Sequence, residues 1–379
     1  MKWSPTRSSK VTMMFLTILS LGALVVCEAV KHKQTQPHLD EKLAAATKMQ
    51  QAIDIISQTR AAESYGFDPE TDPRRTGLIG QEFTPITSDR GTLKAKQVVT
   101  NPNFAALVVQ MFKSAKLKKG DTVAVAWTGS LPGANLAVLS AIETLELKPI
   151  IITSVAASIH GANDPYMTWL DIERLLVDHG VFTAQSVAAS YGAGEDTGKG
   201  LGQTGRSLIR LAVQRAGITF IDKGKFSRQV AERMKIYTQH AQGAPIKLYV
   251  NVGGGLGSLG ARINGYLARP GFNRSLQKER FGRNGTMTIM AKKGVPVVHI
   301  NYIDRLCKRY KIPFDPAEDV TPGRGAMFRR LTYRLDLVAG ILVGLLITFF
   351  ITIRIDVRHY TRRRRDAWEK RTSTLFAKS

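Results

Sequence analysis

The amino-acid sequence predicts an α/β fold: a largely parallel sheet with flanking helices, plus one transmembrane helix near each terminus. From residue 121 onward, short runs rich in Val, Ile and Ala alternate with segments of helical length, and polar or Gly-rich loops separate them. Such alternation indicates βαβ units and hence a parallel, Rossmann-like sheet. One apolar stretch long enough to span a bilayer lies near each end of the chain.

Composition divides the 379 residues into eight segments. In chain order they are a cytoplasmic N-terminus (1–10), a transmembrane anchor (11–30), an amphipathic helix or stalk (31–64), a Pro/Gly-rich entry region with a helix (65–120), the α/β domain (121–312), a loop to the membrane (313–334), a transmembrane helix (335–353) and a basic cytoplasmic tail (354–379).

The first apolar segment contains one charge, Glu28, and predicts either a signal peptide or an uncleaved anchor. The sequence Cys27-Glu28-Ala29 is a poor cleavage site, which favours the anchor. The second segment is interpreted as a span and not a buried core helix, because only a charged tail follows it. Basic residues lie outside both segments, so the positive-inside rule predicts cytoplasmic termini and an extracytoplasmic central domain. The opposite topology would leave a cytoplasmic, nucleotide-binding domain as the alternative.

Residues 31–64 have a helical pattern, with Leu39, Ala46, Met49, Ile53 and Ile56 on one face. This helix is either a stalk or a packing helix. In the α/β domain we expect strands at 123–127, 149–153, 181–190, 218–221, 246–252 and 297–300, and helices at 136–145, 166–177, 206–216 and 226–240.

The chain is strongly basic, with 54 Lys and Arg residues against 30 Asp and Glu residues. Residues 31–334 alone hold 42 against 25, a surplus of 17 positive charges. Such a surplus suggests nucleic acid, anionic lipid or an acidic polymer as partner, or else a solvated basic surface beside anionic lipid. No nucleic-acid-binding module is recognisable, so no nucleic-acid partner is predicted. The seven histidines lack metal-ligand spacing, and we predict neither a metal nor a cofactor.

Gly255, Gly257 and Gly260 follow a predicted strand and match the spacing of a dinucleotide-binding fingerprint. The acidic residue at the expected distance, Glu279, does not end a second strand, which disfavours a dinucleotide. A loop that supplies backbone N–H groups to another anion is preferred to a dinucleotide site, and a structural turn is preferred to both. The segment Gly192–Gly200 departs from a phosphate-binding loop and is expected to be an exposed loop.

Two polar loops follow neighbouring predicted strands. In open parallel sheets, ligands bind outside the carboxyl ends of the strands. The predicted ligand-binding residues are therefore Thr128, Ser130, Asn135, Ser154 and Asn163, together with Gly255, Gly257 and Gly260.

One of these loops also holds the residue types of nucleophilic catalysis, in Ser158, His160 and Asp164. Three close residues on one loop seldom adopt triad geometry, and no nucleophile elbow is present. A polar binding rim is the preferred interpretation, and a catalytic role for these three residues is the alternative.

Four stretches together resemble the poly-γ-glutamate system protein family: GFDPETDPRRTGLIGQEFTPITSDRGTL, VAVAWTGSLPGANLAVLSAIETL, PIIITSVAASIHGANDP and YVNVGGGLGSLG. The resemblance covers most of the chain. It implies an accessory component of poly-γ-glutamate capsule synthesis or export in the bacterial inner membrane, with the synthase and export subunits and the acidic polymer as partners. The extracytoplasmic central domain would then lie in the periplasm. It implies no catalytic residue. The alternative is a membrane-anchored amide hydrolase or transferase that acts on poly-γ-glutamate or a precursor.

Overall fold

A computed structural model describes residues 7–62, 66–276 and 281–376. The chain forms two compact units. One comprises Met1–Gln34 and Arg330–Ser379, and the other comprises Thr35–Arg329.

The described helices are α1 (Arg7–Ala29), α2 (Leu39–Ala62), α3 (Leu93–Val99), α4 (Phe104–Ser114), α5 (Pro132–Thr144), α6 (Trp169–Asp178), α7 (Gln203–Ala216), α8 (Phe226–Ala241), α9 (Leu256–Leu259), α10 (Arg262–Leu267), α11 (Thr286–Lys292), α12 (Ile303–Tyr310) and α13 (Leu335–Phe376). The described strands are β1 (His32–Thr35), β2 (Thr87–Asp89), β3 (Thr122–Thr128), β4 (Lys148–Ser154), β5 (Ala157–Ser158), β6 (Ala188–Ser190), β7 (Thr219–Ile221), β8 (Ile246–Val252), β9 (Gly271–Asn273), β10 (Val297–Ile300) and β11 (Arg329–Thr332).

The larger unit is built on a seven-stranded sheet in the order β7-β6-β4-β3-β8-β10-β9. All pairs in it are parallel except β10 with β9, which is antiparallel. Within this sheet β3 is the first strand along the chain. Strands β4, β6 and β7 follow on one side of it, and β8 and β10 lie on the other side. The predicted mixed α/β architecture with a largely parallel sheet is confirmed. The antiparallel edge strand β9 was not predicted, because three residues carry no readable period.

Both faces of this sheet are covered, which explains why its central strands are continuous apolar runs. In β3, Val123, Val125 and Trp127 pack into one core cluster, and the alternating Ala124 and Ala126 pack into a second cluster on the opposite face. Residues of α2, α4 and α5 belong to the first cluster, and residues of α8 and α11 belong to the second.

Helix α2 is a packing helix of the larger unit. Met49, Ile53 and Ile56 of the predicted apolar face are buried, and α2 contacts α4 and α5. The last two residues of the predicted segment, 63 and 64, lie outside the described residues.

Local sequence sets several helix ends. Helix α6 begins at Trp169 and not at the expected residue 166, because Thr168 and Asp171 form a capping box. Helix α5 has Pro132 at its first position, where a missing N–H costs nothing. The expected strand at 181–190 shortens to Ala188–Ser190.

The smaller unit contains α1 and α13, which contact each other. Both are long and apolar enough to cross a membrane, with mean hydropathies of 2.1 and 2.4. Helix α13 does not end with its apolar part but continues to Phe376. Residues 354–376 contain neither Gly nor Pro and are rich in Arg, so nothing in this stretch ends the helix.

Candidate functional site

A cleft of about 590 Å³ opens in the larger unit where the parallel strands end. Its walls include Thr128 at the end of β3, Ser154 at the end of β4 and Gly253 directly after β8. Strands β3 and β8 are the neighbours between which the strand order reverses, so the loops that follow them lead away in opposite directions. This is the position at which open α/β sheets bind their ligands.

The cleft contains a serine paired with a buried lysine. The Lys96 Nζ atom donates a hydrogen bond to Ser158 Oγ at 2.8 Å and another to the Ser130 carbonyl oxygen. All three residues line the cleft. A serine hydroxyl within hydrogen-bond reach of an amine is the arrangement of a nucleophile and its base.

Lys96 lies on α3, and only 2% of its surface is exposed. Within the described residues, no carboxylate forms an ion pair with it. Burial without a compensating charge lowers the pKa of this amine to about 7. A substantial fraction of the Lys96 side chains is therefore neutral at pH 7 and can accept the proton of a hydroxyl group.

Ser158 is held in place by the backbone around it. It ends strand β5, which pairs with β2, and Asp89 is its partner in that ladder. The N–H of Ser158 donates to Ser130 Oγ at 3.0 Å, so the two serines and Lys96 form one connected group. Gly91 packs against this group, and a Cβ there would lie 2.9 Å from Ser158 Oγ.

Four of the predicted ligand-binding residues line the cleft, namely Thr128, Ser130, Ser154 and Gly255. The adjacent Gly254 also lines it. Among the described residues, the N–H groups of Gly254 and Gly255 donate no backbone hydrogen bond.

Asn135 and Asn163 have structural positions instead. Asn135 is fully buried in α5, and its Nδ2 donates to the Thr128 carbonyl oxygen at 2.9 Å. Asn163 is also fully buried, and its Nδ2 donates to the carbonyl oxygen of Gln81 and to Thr87 Oγ1. Asn135 thus ties α5 to the end of β3, and Asn163 ties its own loop to β2 and to the segment before it.

His160 and Asp164 do not join Ser158 in a catalytic group. His160 Nδ1 lies 3.2 Å from the Gly80 carbonyl oxygen. Asp164 is buried in an ion pair with Arg60 at 2.7 Å, and its other oxygen accepts the Tyr166 N–H. Asp164 therefore holds α2 to the loop before α6.

Gly257 and Gly260 are required for packing. A Cβ at Gly257 would lie 2.6 Å from Asp196 Oδ2, and one at Gly260 would lie 2.0 Å from the Arg283 carbonyl oxygen. Gly260 also has a φ of +84°, which favours glycine. These two positions of the apparent fingerprint thus let chain segments approach each other. Glu279 lies outside the described residues.

The segment Gly192–Gly200 is not the exposed loop that we expected, because it contributes a fully buried ion pair. Asp196 Oδ2 accepts a hydrogen bond from Arg233 Nε at 2.8 Å, and the two side chains are 0% and 1% exposed. Ser154 Oγ and Ser190 Oγ donate to Asp196 Oδ1, each at 2.7 Å. The pair braces the floor of the cleft.

Sequence reasoning missed Lys96. It lies 62 positions before Ser158, in a segment with no motif, and lysine is normally exposed. Its place on a short helix beside the cleft arises only from the tertiary fold.

Among the described residues, no group of three or more His, Cys, Asp or Glu side chains is placed to hold a metal ion. No protein-family model matches the chain, and no curated protein or solved structure compared with it gives a significant match.

Proposed function

We propose that the protein is a membrane-anchored amide hydrolase or transferase in which Ser158 is the nucleophile and Lys96 is its base. The Lys96–Ser158 hydrogen bond inside the cleft carries this proposal. The two apolar helices support the anchoring, and the reversal of strand order beside the cleft supports a Rossmann-like domain.

The chemistry needs only groups that line the cleft. Ser158 Oγ attacks the carbonyl carbon of an amide while its proton passes to Lys96 Nζ. The C–N bond then breaks, the amine leaves with the proton held by Lys96, and an ester forms on Ser158. Water or a second amine attacks the carbonyl carbon of this ester and gives its proton to Lys96. The bond between that carbon and Ser158 Oγ then breaks, the acid or new amide leaves, and Lys96 passes the proton to Oγ to restore the hydroxyl. The N–H groups of Gly254 and Gly255 are the candidates to stabilise the oxyanion.

The resemblance described above supports poly-γ-glutamate or one of its precursors as the substrate. Polymer made or trimmed at the bacterial inner membrane fits a domain on the periplasmic side with both termini in the cytoplasm. Reporter fusions after residue 100 and at the C-terminus test this topology, and a cytoplasmic signal from the first fusion contradicts it.

The full chain in detergent, with a fluorophosphonate probe that reacts with nucleophilic serines, provides the test. We expect labelling at Ser158 that rises with pH about a midpoint near 7, because Lys96 must lose its proton to act as a base. Lys96→Arg keeps a cation that cannot deprotonate, so labelling and turnover of γ-glutamyl amides should fall about 10²–10⁴-fold.

His160→Ala is the matched control and should keep both labelling and turnover. Unchanged turnover in Ser158→Ala would remove Ser158 as the nucleophile.

The surplus of 17 positive charges over residues 31–334 favours a second candidate function, a non-catalytic accessory component that contacts the polymer or the synthase and export subunits. Normal capsule polymer in cells that carry Ser158→Ala, with loss of polymer on deletion of the whole chain, would select this candidate.

A further inference from the structure

Two exposed ion pairs lie at the mouth of the cleft. Arg262 and Asp89, which both line it, are joined at 2.8 Å although their side chains are 80% and 50% exposed. Arg283 and Glu195 are joined at 3.4 Å and are 45% and 42% exposed. Glu195 directly follows Gly194, another lining residue.

Further guanidinium groups surround the same opening. Arg90 lines the cleft and is exposed, and within the described residues it forms no ion pair. Arg305 lies over the ring of Tyr302, a lining residue, at 5.5 Å. Arg283 lies 3.6 Å from the centre of the Phe226 ring, which orients its guanidinium in advance of any ligand.

The surplus positive charge of the larger unit comes from one stretch of its sequence. Residues 35–200 hold 15 Lys and Arg against 18 Asp and Glu, whereas residues 201–329 hold 23 against 7. Arg262, Arg283 and Arg305 all belong to the second stretch. The surplus positive charge therefore comes from residues 201–329, which also supply three of the four arginines at the mouth. This charge raises the local concentration of anionic ligands there.

We propose that the mouth of the cleft binds a linear polycarboxylate, whose carboxylates displace Asp89 and Glu195 from Arg262 and Arg283 while one of its amide bonds enters the cleft. This inference rests on the proposed function, since it names the chain that is presented to Ser158.

The two ion pairs identify carboxylate as the ligand group. In each pair a carboxylate of the protein already occupies the guanidinium, and it stands in for a carboxylate of the ligand. Because both pairs are largely exposed, each contributes little to stability and is exchanged at little cost. The guanidiniums come from separate segments around the opening, so a ligand that engages several of them must extend along the mouth.

The test measures binding of a labelled γ-glutamate oligomer to the full chain in detergent. Ser158→Ala is present in every variant, so that turnover cannot obscure binding. We expect Arg262→Gln and Arg283→Gln each to weaken binding about threefold to fivefold at low salt, and the double variant to combine the two losses. Arg228→Gln and Lys235→Gln, exposed on α8, make the same change of charge away from the lining residues and should change binding little.

The decisive variants remove the competing carboxylates. Asp89→Asn and Glu195→Gln should tighten binding, because they free Arg262 and Arg283 for the ligand. A merely structural role for these ion pairs predicts weaker or unchanged binding, and either result would overturn the proposal.

Three further probes identify the ligand class. The uncharged amidated oligomer should not bind. Equal binding of polyphosphate, or binding to phosphatidylglycerol vesicles without binding to the oligomer, would overturn the choice of a polycarboxylate. Failure of the arginine variants to affect binding leaves the Ser158 labelling intact, so this inference can fail while the proposed reaction stands.

Discussion

Replacing Lys96 with Met should show how far this buried amine lowers the free energy of unfolding, apart from its role in catalysis. Burial lowers the pKa of the amine from 10.5 to about 7. Each unit of pKa corresponds to about 1.4 kcal/mol, so near pH 6.5 the folded state loses about 4–5 kcal/mol by holding Lys96. Met keeps most of the apolar stem. It gives up the hydrogen bonds to Ser158 and Ser130, at about 1 kcal/mol each.

The contribution of Lys96 to the stability of the wild-type protein should become less unfavourable as the pH rises. Because the pKa is lower in the folded state, the unfolded chain binds more protons between about pH 7 and 10.5, and the wild-type protein gains stability as the pH rises through this window. Near pH 9.5 the cost of Lys96 has fallen to about 1 kcal/mol. The Met variant should therefore be more stable than wild type by about 2 kcal/mol near pH 6.5, and slightly less stable near pH 9.5.

Thermal unfolding of the full chain in detergent, followed by tryptophan fluorescence at both pH values, measures this crossover. A gain of about 2 kcal/mol should raise Tm by roughly 4 °C near pH 6.5. Burial also raises the pKa of Glu173 to about 7, so the protein loses stability as the pH rises from 4.5 toward 7. Glu173 is present in both proteins, and its effect cancels in the comparison. Parallel pH curves for the two proteins, with the Met variant less stable throughout, would show that the amine is charged and well satisfied, and the reasoning would fail.

The other predictions concern the floor and the edge of the cleft. Asp196→Asn leaves Arg233 buried without its counter-charge and should cost about 3–5 kcal/mol, measured by thermal unfolding. Asp222→Asn, in the exposed pair with Arg210, is the control and should cost less than about 1 kcal/mol. Gly91→Ala places a Cβ 2.9 Å from Ser158 Oγ and 3.1 Å from Lys96 Cε, so kcat should fall by about tenfold to a hundredfold with little change in KM. Gly202→Ala, outside the cleft lining, meets nothing within 4 Å and should keep kcat, and equal losses in both variants would contradict a specific effect on the serine.

The central strands could be read from the sequence because β3 and β8 are apolar runs that end in turn-forming loops. The loops after β3, β4 and β8 predicted Thr128, Ser130, Ser154 and Gly255 as cleft residues, since the carboxyl ends of parallel strands share one edge. Strands β2 and β5 were missed, being too short to show a period, although their pairing positions Ser158.

The proposed catalytic pair was harder to predict than the residues that line the cleft. Ser158 and His160 are neighbours in sequence, yet the backbone carries the histidine toward Gly80. Lys96, the partner that Ser158 does contact, comes from helix α3, 62 positions earlier in the chain. Asp196 and Arg233 were hidden for the same reason: a buried ion pair between distant segments leaves no local pattern.

Helix α13 has a mechanical consequence. At about 1.5 Å per residue, its 42 residues form a rod of roughly 63 Å, about twice the hydrocarbon thickness of a bilayer. If the apolar part of this helix crosses a membrane, its Arg-rich part continues beyond the hydrocarbon layer without a break in the helix. A partner bound to the Arg-rich part would then be joined to the span by continuous helix, with no loop between them to absorb a change in orientation.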